Sequence, residues 1–288
     1  MCRKKGKACY IVLDMHANAA EKLIEEIRGV PEYEGIFISG QDALLQCDDR
    51  STLVVVDTNR PEQVECKPLL ESVPRVCVVD HHLRAADYIK PVVVNLLETN
   101  ASSAAELVTE MLQYTVERED VLPIEAKSLL AGIILDTKSF HVRTGERTFE
   151  AAAFLRQIGA DPVEIKKLLQ NDFHTTKEKY KIIESAKLYR HDIAIAHLNE
   201  TVSRALAAQA ADELLSISGI TTSFVLYPDG DRIFISARSV GDANVQMILE
   251  PLGGGGNPAT AGAQIQNKTM REVLQELAQS IEAYYQTE

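Results

Sequence analysis

Short apolar runs separated by helix-like stretches fill residues 9–97 of the chain. Runs of four to six mainly apolar residues are typical of strands buried on both faces, and their alternation with helices predicts a doubly wound parallel sheet. The predicted strands cover residues 10–13, 36–39, 53–57, 75–80 and 92–96, and the predicted helices cover 19–28, 42–45 and 61–73. The fold class is therefore α/β.

A helical block and a second, smaller α/β unit follow. Helices are predicted at 103–114, 124–135, 147–158 and 162–169, and a polar helix with alternating charges at 172–190 is interpreted as a connector. Beyond it we predict strands at 193–198, 223–227 and 232–237, a helix at 203–215 and a terminal helix from residue 270. The expected domains are residues 1–170, a linker helix at 171–190, and residues 191–288.

Candidate metal ligands follow two of the predicted strands. Asp80-His81-His82 ends the run 75–79, and Asp57 ends the run 53–56. Ligands bind at the carboxyl edge of open α/β sheets, and the βαβ connection should bring these two strand ends together. Asp136, at the end of the apolar run 129–135, supplies a third candidate ligand. Asp57, His81 and Asp136 are donors suited to Mn²⁺ or Zn²⁺, which would acidify a bound water.

The role of His82 stays open among three interpretations of equal weight. It could support the metal ligands from behind, donate to a substrate phosphate, or be a buried structural histidine. His141 and Arg143 follow Asp136 closely enough to face the same cleft.

Two features near the end of the chain suit a phosphate group. The tract Gly253-Gly254-Gly255-Gly256 precedes Asn257 and a run of small residues, which would let backbone N–H groups approach an anion. Arg238, in Ser236-Ala237-Arg238-Ser239, offers a guanidinium for a bidentate contact. The simpler interpretation is a flexible turn and a solvated arginine.

Composition limits the class of protein. The net charge of −12 argues against a protein that coats long nucleic acids, but a few arginines and a metal could still bind a small phosphorylated ligand. No apolar run approaches the length of a membrane span, and no signal peptide is evident. The five cysteines form no Cys-x-x-Cys pair and are interpreted as reduced thiols of a cytoplasmic protein.

These motifs resemble a known family. Val79-Asp80-His81-His82, Asp57-Thr58-Asn59, Ser102-Ser103-Ala104-Ala105-Glu106 and the Arg143-Thr144-Gly145 string are similar to the DHH phosphoesterase domain. Ser236-Ala237-Arg238-Ser239, Asn244-Val245-Gln246 and the four glycines are similar to the DHHA1 domain. The combination most resembles the membrane-anchored cyclic-di-AMP phosphodiesterases of Gram-positive bacteria.

The resemblance implies an activity, a cofactor and site residues. It implies hydrolysis of cyclic-di-AMP to the linear dinucleotide pApA with two Mn²⁺ ions in the DHH domain, while the DHHA1 domain closes over the nucleotide. It implies catalytic roles for Asp80 and His82, and metal binding by Asp57, His81 and Asp136. The implied substrate-binding residues are Arg143, Ser236, Arg238, Asn244, Gly254, Gly255, Gly256 and Asn257. A homodimer and a cytoplasmic module without its own membrane contact are further expectations.

Two departures from the family pattern limit the expected activity. The first metal motif of the family, Gly-His-x-x-x-Asp-x-Asp, is expected on a strand before Met1. Asp14-Met15-His16-Ala17 imitates it only by accident, because Tyr10 stands where the pattern requires His. Asn257 replaces the family's His and cannot carry charge. We therefore expect weak or no turnover, with two alternatives: dinucleotide binding without cleavage, or hydrolysis of linear pApA and short oligoribonucleotides.

Overall fold

The computed structural model of the chain describes residues 2, 5–13, 20–241 and 243–286. The chain divides into two compact units, residues 1–170 and 171–288. Each unit has a hydrophobic core of its own. No helix within the described ranges is long and apolar enough to cross a membrane.

All strands described in the first unit pair in parallel. Their bounds are β1 Ile11–Val12, β2 Phe37–Ile38, β3 Thr52–Val56, β4 Arg75–Asp80 and β5 Val94–Leu97. The predicted α/β class with parallel pairing is confirmed. Within the described residues, however, β1–β2 and β3–β4–β5 form two separate sheets instead of one continuous sheet.

Seven α-helices are described in the first unit. They are α1 Glu21–Arg28, α2 Gly40–Gln46, α3 Leu69–Ser72, α4 Ala104–Thr115, α5 Pro123–Asp136, α6 Glu146–Ile158 and α7 Pro162–Leu168. Ser103 caps α4 by accepting a hydrogen bond from Glu106 N, and Asp161 caps α7. Proline begins α5 and α7, where its missing N–H has no helical partner to lose. The helices from α4 onward lie close to their predicted positions.

The helix predicted at 61–73 is wrong. The segment contains a 3₁₀ turn, Pro61–Gln63, and the one-turn helix α3. Pro68 lies in the middle of the predicted helix, and an interior proline removes a hydrogen bond and clashes with the preceding turn. In the structure Pro68 stands immediately before α3 as its N-cap residue, so the chain forms two short turns instead of one helix.

The second unit is built on one mixed sheet of six strands. Its strand order is β10-β11-β9-β8-β7-β6, and β7 and β8 are its parallel pair. The bounds are β6 Lys187–Tyr189, β7 Ile193–His197, β8 Thr222–Asp229, β9 Arg232–Ser239, β10 Gly255–Asn257 and β11 Thr260–Gln266.

Four α-helices cover this sheet on its two faces. They are α8 Phe173–Glu184, α9 Arg204–Leu214, α10 Val245–Leu249 and α11 Met270–Gln286. One core, around Ala207 and Val225, lies on the α9 side, and another, around Phe224 and Leu277, lies on the side of α10 and α11.

Three segments of the second unit differ from prediction, and one of them is β11, since the sequence analysis predicts no strand at 260–266. The helix expected at 172–190 ends at Glu184, and residues 187–189 become the edge strand β6. α8 buries Ile182 and joins α9 through the pair Lys179 Nζ–Glu213 Oε2 at 2.6 Å, so the predicted linker contributes a helix and a strand to this unit. Part of the glycine tract, interpreted as a turn, forms β10, because pairing with β11 offsets the weak strand preference of glycine.

Candidate functional site

The carboxyl ends of β3 and β4 lie side by side because these strands are parallel neighbours. Asp57 follows β3 in the left-handed backbone region, with φ of 65°. Its N–H donates to Val79 O at 2.9 Å, which fixes the turn against β4. β4 ends at Asp80, so His81 emerges at the same edge. The two strand-end motifs are therefore close in space, as the βαβ pattern predicts.

Asp57, His81 and Asp136 converge at this edge. His81 Nε2 lies 3.4 Å from Asp57 Oδ1 and 3.8 Å from Asp136 Oδ2, which is carried by the last residue of α5. Ligand atoms of Asp57, His81 and His82 lie within 4.8 Å of one another. Carboxylates and imidazoles are donors that borderline divalent ions accept, so this group fits an ion such as Mn²⁺ or Zn²⁺. Within the described part of the chain, Asp57, His81 and His82 are the one set of residues whose ligand atoms meet this 4.8 Å limit, and Asp136 approaches His81 from outside that set.

Neighbouring charges shift the pKa values of His81 and Asp136. Hydrogen bonding to Asp57 raises the pKa of His81 against the opposing effect of burial, and the charge of Asp136 adds to the rise. Burial raises the pKa of Asp136, and the negative charge of Asp57 raises it further. Both carboxylates therefore favour a positive partner at the centre of the group.

Asp80 lies behind this group and not in it. Its side chain has no exposed surface, and its Oδ1 accepts from His81 N at 2.8 Å and from His82 Nδ1 at 2.7 Å. Burial alone would raise the pKa of Asp80, but hydrogen bonds from His82 and Asn59 outweigh burial and lower it. The structure thus places Asp80, expected to be catalytic, as a buried acceptor that orients its neighbours.

His82 presents its ring edge-on to His81, with 4.4 Å between the ring centroids. Its side chain is 51% exposed, which does not suit the interpretation as a buried structural histidine. Because a carboxylate only accepts, Nδ1 must carry the proton in the bond to Asp80. Nε2 then remains open to a metal or a substrate.

Two groups that contact Asp80 and His81 were missed from the sequence. Asn59 donates from Nδ2 to Asp80 Oδ2 at 2.6 Å, and Ala101 O lies 3.4 Å from His81 Nδ1. The Asp57-Thr58-Asn59 motif places Asn59 near a strand end. Its partner, however, is distant in sequence, and a backbone carbonyl leaves no residue-type signal.

The start of α4 supports the Ala101 carbonyl. Ser103 Oγ accepts from Glu106 N at 3.0 Å, as a capping box requires. The Glu106 carboxylate turns instead to Ser102, accepting from Ser102 N at 3.3 Å and Ser102 Oγ at 2.5 Å. Ala101, Ser102 and Glu106 are all buried, so this network holds the loop beside His81.

The loop after Asp136 has an unusual backbone. Lys138, Ser139, Phe140 and Arg143 all have positive φ, between 47° and 65°. Arg143 is exposed, and its positive charge lowers the pKa of Asp136 against the larger effects that raise it. The structure therefore brings the charge of Arg143 close enough to act on Asp136, one of the three predicted metal ligands. The imitation motif at residues 14–17 lies outside the described residues.

In the second unit, Arg238 belongs to β9 and forms an internal ion pair. Its Nε donates to Asp212 Oδ1 of α9 at 3.1 Å, and its Nη1 donates to Ala237 O at 2.9 Å. Its side chain is 13% exposed. Asp212 therefore holds and partly neutralises the guanidinium that the sequence assigned to phosphate.

The strand register nevertheless places Arg238 in line with β10, the strand formed by part of the glycine tract. Arg238 pairs with Thr260, and Thr260 pairs with Asn257, so these residues form one row across β9, β11 and β10. Directly paired residues project to the same face of a sheet. The neighbouring row consists of Ser236, Gly262 and Gly255. We call the six residues of these two rows the ligand face.

The glycines of the tract differ in what they tolerate. A Cβ on Gly255 would meet no atom within 4 Å, whereas a Cβ on Gly256 would lie 2.3 Å from Thr260 O. Gly254 is packed equally tightly, because its Cβ would lie 2.7 Å from Leu249 Cβ. β10 is an edge strand, so alternate backbone N–H groups of the tract face away from β11.

Asn244 and Asn257 both shape the backbone. Asn257 Oδ1 accepts from Ala259 N at 3.0 Å and Thr260 N at 2.9 Å, which closes the β10–β11 turn. Asn244 Oδ1 caps α10 by accepting from Gln246 N and Met247 N. Asn244 stands off the ligand face, and its substrate contact stays a prediction.

The sequence matches two family models over most of its length. Residues 7–133 match the DHH family N-terminal domain, and residues 191–287 match the DHHA1 domain. The chain therefore contains a DHH-family domain and a DHHA1 domain. The predicted family is thus confirmed.

Relatives of this DHH–DHHA1 chain include named enzymes. It is 42% identical over 271 residues to the cyclic-di-AMP phosphodiesterase PdeA of Listeria monocytogenes, covering 93% of this chain and 41% of that protein. It is 40% identical over 293 residues to the cyclic-di-AMP phosphodiesterase GdpP of Bacillus subtilis, covering 99% of this chain and 44% of that protein. The chain therefore spans less than half the length of these relatives.

The fold has a close counterpart among solved structures. An exopolyphosphatase-related protein from Bacteroides fragilis superposes with a TM-score of 0.82 at 18% identity, over 98% of this chain and 84% of that one. At this identity the likeness shows the shared fold.

Proposed function

We propose that this chain is the DHH–DHHA1 module of a metal-dependent phosphodiesterase that hydrolyses cyclic-di-AMP to pApA. The observation that carries the proposal is the convergence of Asp57 and Asp136 on His81 Nε2, at 3.4 and 3.8 Å. Two relatives at 40–42% identity, named cyclic-di-AMP phosphodiesterases, support the choice of substrate.

The metal proposed here is Mn²⁺, held by Asp57, His81 and Asp136. Such an ion would act as a Lewis acid on the phosphate and would activate a water. The Asp/His donor set suits it, and the raised pKa values of His81 and Asp136 reflect a group that gains from a cation.

The histidine pair would act on the phosphodiester beside that ion. His82 is held through Nδ1 by Asp80, so Nε2 is the atom that can meet the substrate or the metal. With the proton held on Nδ1, His82 Nε2 would act as an acceptor towards a metal or towards water bound beside the phosphate, and Arg143 would add positive charge at the same edge. Asp80 has no exposed surface, so its contribution is to orient His82.

The ligand face of the second unit would bind the nucleotide phosphates. Arg238 offers the donors that Asp212 and Ala237 leave unused, and residues 255–257 of β10 offer backbone N–H groups at the sheet edge, whereas Gly254 N already donates to Leu249 O at 2.9 Å. Ser236 lies on the same face as Arg238, two residues earlier in β9. Asn257 keeps its Nδ2 for a ligand while its Oδ1 closes the turn.

Hydrolysis and binding assays test this proposal together. The chain is incubated with Mn²⁺ and cyclic-di-AMP, and pApA is measured by chromatography. We expect weak turnover that Asp57→Asn abolishes, because the described residues provide one metal-ligand group while the resemblance implies two Mn²⁺ ions. Rapid hydrolysis would contradict the expected need for a further metal motif. Turnover that persists fully in Asp57→Asn would contradict the site itself.

A second candidate function is binding of a dinucleotide without cleavage. It is favoured by Asn257, whose amide cannot shuttle a proton and whose Oδ1 is already engaged. Calorimetry with cyclic-di-AMP and linear pApA separates the candidates: heat without product supports a binding module, and absence of heat at high micromolar ligand excludes both. A faster rate on pApA than on cyclic-di-AMP would favour the linear dinucleotide as substrate. The homodimer and the cytoplasmic location stay predictions.

A further inference from the structure

Asn59 lies at the junction of the two strand-end motifs, where none of the proposed roles uses it. It follows Asp57 by two residues and is 5% exposed. Its side-chain Nδ2 donates to Asp80 Oδ2 at 2.6 Å and to Leu83 O at 3.2 Å, and its Oδ1 accepts from Ala85 N at 2.8 Å. Both ends of the amide are therefore engaged, and all these partners lie in or after β4.

The contact with Asp80 matters because that carboxylate is completely buried. Asp80 Oδ1 takes the N–H groups of His81 and His82 together with His82 Nδ1. Asp80 Oδ2 takes Asn59 Nδ2, the donor found for it within the described part of the chain. Loss of Asn59 would leave Asp80 Oδ2 buried without that donor. Because an unsatisfied buried acceptor costs free energy, the Asp80 carboxylate would be more stable if it rotated towards another donor.

Rotation of the Asp80 carboxylate would disturb its hydrogen bond with His82. The 2.7 Å bond from His82 Nδ1 to Asp80 Oδ1 fixes both the tautomer and the ring orientation. His82 is 51% exposed, so little packing would replace this bond as a restraint. The position of the His82 ring beside Asp57 and His81 thus depends on the orientation of Asp80.

We propose that Asn59 is a positioning residue that acts through Asp80 to hold the His82 imidazole beside the Asp57–His81 group, with the ring proton on Nδ1. The assignment of a substrate role to His82 rests on the proposed function. The hydrogen-bond chain Asn59–Asp80–His82 itself does not.

The first test measures the His82 tautomer and needs no substrate. Long-range ¹H–¹⁵N spectra of the imidazoles, with His82 assigned from His82→Gln, should show the Nδ1–H tautomer in the parent protein. Asn59→Ala should add a measurable population of the Nε2–H tautomer. The matched control is Thr58→Val, which removes two hydrogen bonds of a similarly buried residue without touching Asp80: Thr58 Oγ1 donates to Gln63 Oε1 at 2.7 Å and accepts from Arg60 N at 3.1 Å. Unchanged His82 signals in Asn59→Ala would overturn the proposal.

The second test is a double-mutant cycle on turnover, since a purely structural effect and a positioning effect combine differently. We expect Asn59→Ala to lower kcat roughly tenfold or more, the usual cost of removing a residue behind a ligand. In the His82→Ala background the same change should have little further effect. Additive losses would overturn the positioning role. If Asn59→Ala does not fold, Asn59→Ser, whose hydroxyl is too short to reach Asp80, replaces it in both tests. Should the parent show no turnover, the proposed function fails while the tautomer measurement still decides the role of Asn59.

Discussion

Asp57 has an unusual backbone conformation and is also a proposed metal ligand. Its φ of 65° lies in the left-handed region, where Asp, Asn and Gly are tolerated better than other residues. From the sequence alone we expect Ala at Asp57 to remove metal with little effect on folding. The backbone angle changes that expectation, because Ala has no polar side chain to stabilise this conformation.

Comparison of Asp57→Ala with Asp57→Gly separates the effect of the backbone conformation on stability from the effect of losing a metal ligand. Ala in the left-handed region should lower the free energy of unfolding by about 1 kcal/mol relative to Gly. Both variants should lose Mn²⁺-induced stabilisation. Urea unfolding with and without Mn²⁺ measures both effects, and equal stability of the two metal-free variants would contradict the backbone argument.

Adjacent glycines in β10 give a second contrast at the residue scale. Gly256 has φ of 150°, and a Cβ there would clash with Thr260 O, whereas a Cβ on Gly255 would meet no atom within 4 Å. Gly256→Ala should therefore destabilise the protein by roughly 1–3 kcal/mol, the usual cost of overpacking. Gly255→Val should keep the fold and weaken dinucleotide binding through its added side chain. Thermal unfolding and calorimetry of the two variants check this, and a well-folded Gly255→Val with parental affinity would argue against the ligand face.

Elements with a strong local pattern could be predicted from the sequence, and elements that depend on distant pairing could not. The limits predicted for β4 are those observed, because an unbroken apolar run ending in Asp80 has few alternatives. The sequence does not predict β6, β10 or β11. Lys187–Tyr189 is only three residues long, and Gly255–Asn257 and Thr260–Gln266 are rich in glycine, alanine or asparagine, so these segments become strands through pairing with β7, with β9 and with each other.

The same division holds for the candidate site. Asp57, His81 and Asp136 could be predicted because each follows a readable strand or helix. The orienting role of Asp80 and the pairing of Arg238 with Asp212 depend on burial and on contacts between distant segments. No periodicity along the chain reports such contacts.

Arg238 gives the prediction at the scale of elements, because β9 and α9 hold it jointly. Arg238→Ala should weaken dinucleotide binding by about 1.5–3 kcal/mol, the usual value of a charge-assisted hydrogen bond. Mn²⁺ binding should not change, because the proposed ligands belong to the first unit. The control is Arg232→Ala at the exposed start of β9. Calorimetry with cyclic-di-AMP measures the affinity of both variants. Parental affinity in Arg238→Ala would contradict a role in ligand binding and would leave Arg238 with only a structural role, the ion pair with Asp212.

At the scale of the whole molecule, the stability of this acidic protein should depend on pH through the proposed metal site, where the carboxylates of Asp57 and Asp136 lie beside the imidazole of His81. The pKa values of His81 and Asp136 are both raised in the folded state, the first mainly by its hydrogen bond to Asp57 and the second mainly by burial. A group with a raised folded-state pKa holds its proton more tightly when folded. Its contribution to stability is therefore present at low pH and is lost as pH rises through the folded-state pKa.

The metal-free protein and the Mn²⁺ form should thus respond oppositely to pH. From these two groups, metal-free stability falls as pH rises from the unfolded-state range of Asp towards and beyond that of His. Mn²⁺ affinity should rise over the same interval, by up to about tenfold per pH unit for each proton displaced. Thermal unfolding across pH, with and without Mn²⁺, measures both trends. A Mn²⁺-induced shift that does not depend on pH would contradict the role of His81 as a ligand.

The most direct test of the metal centre is calorimetric titration of Mn²⁺ into the parent protein and three variants, Asp57→Asn, His81→Gln and Asp136→Asn. The control is Asp49→Asn, an exposed carboxylate in the turn before β3. The proposed centre predicts saturable binding in the parent and the control, and loss of at least tenfold in affinity in each of the three variants with their folds intact. Parental Mn²⁺ affinity in any of the three would contradict it.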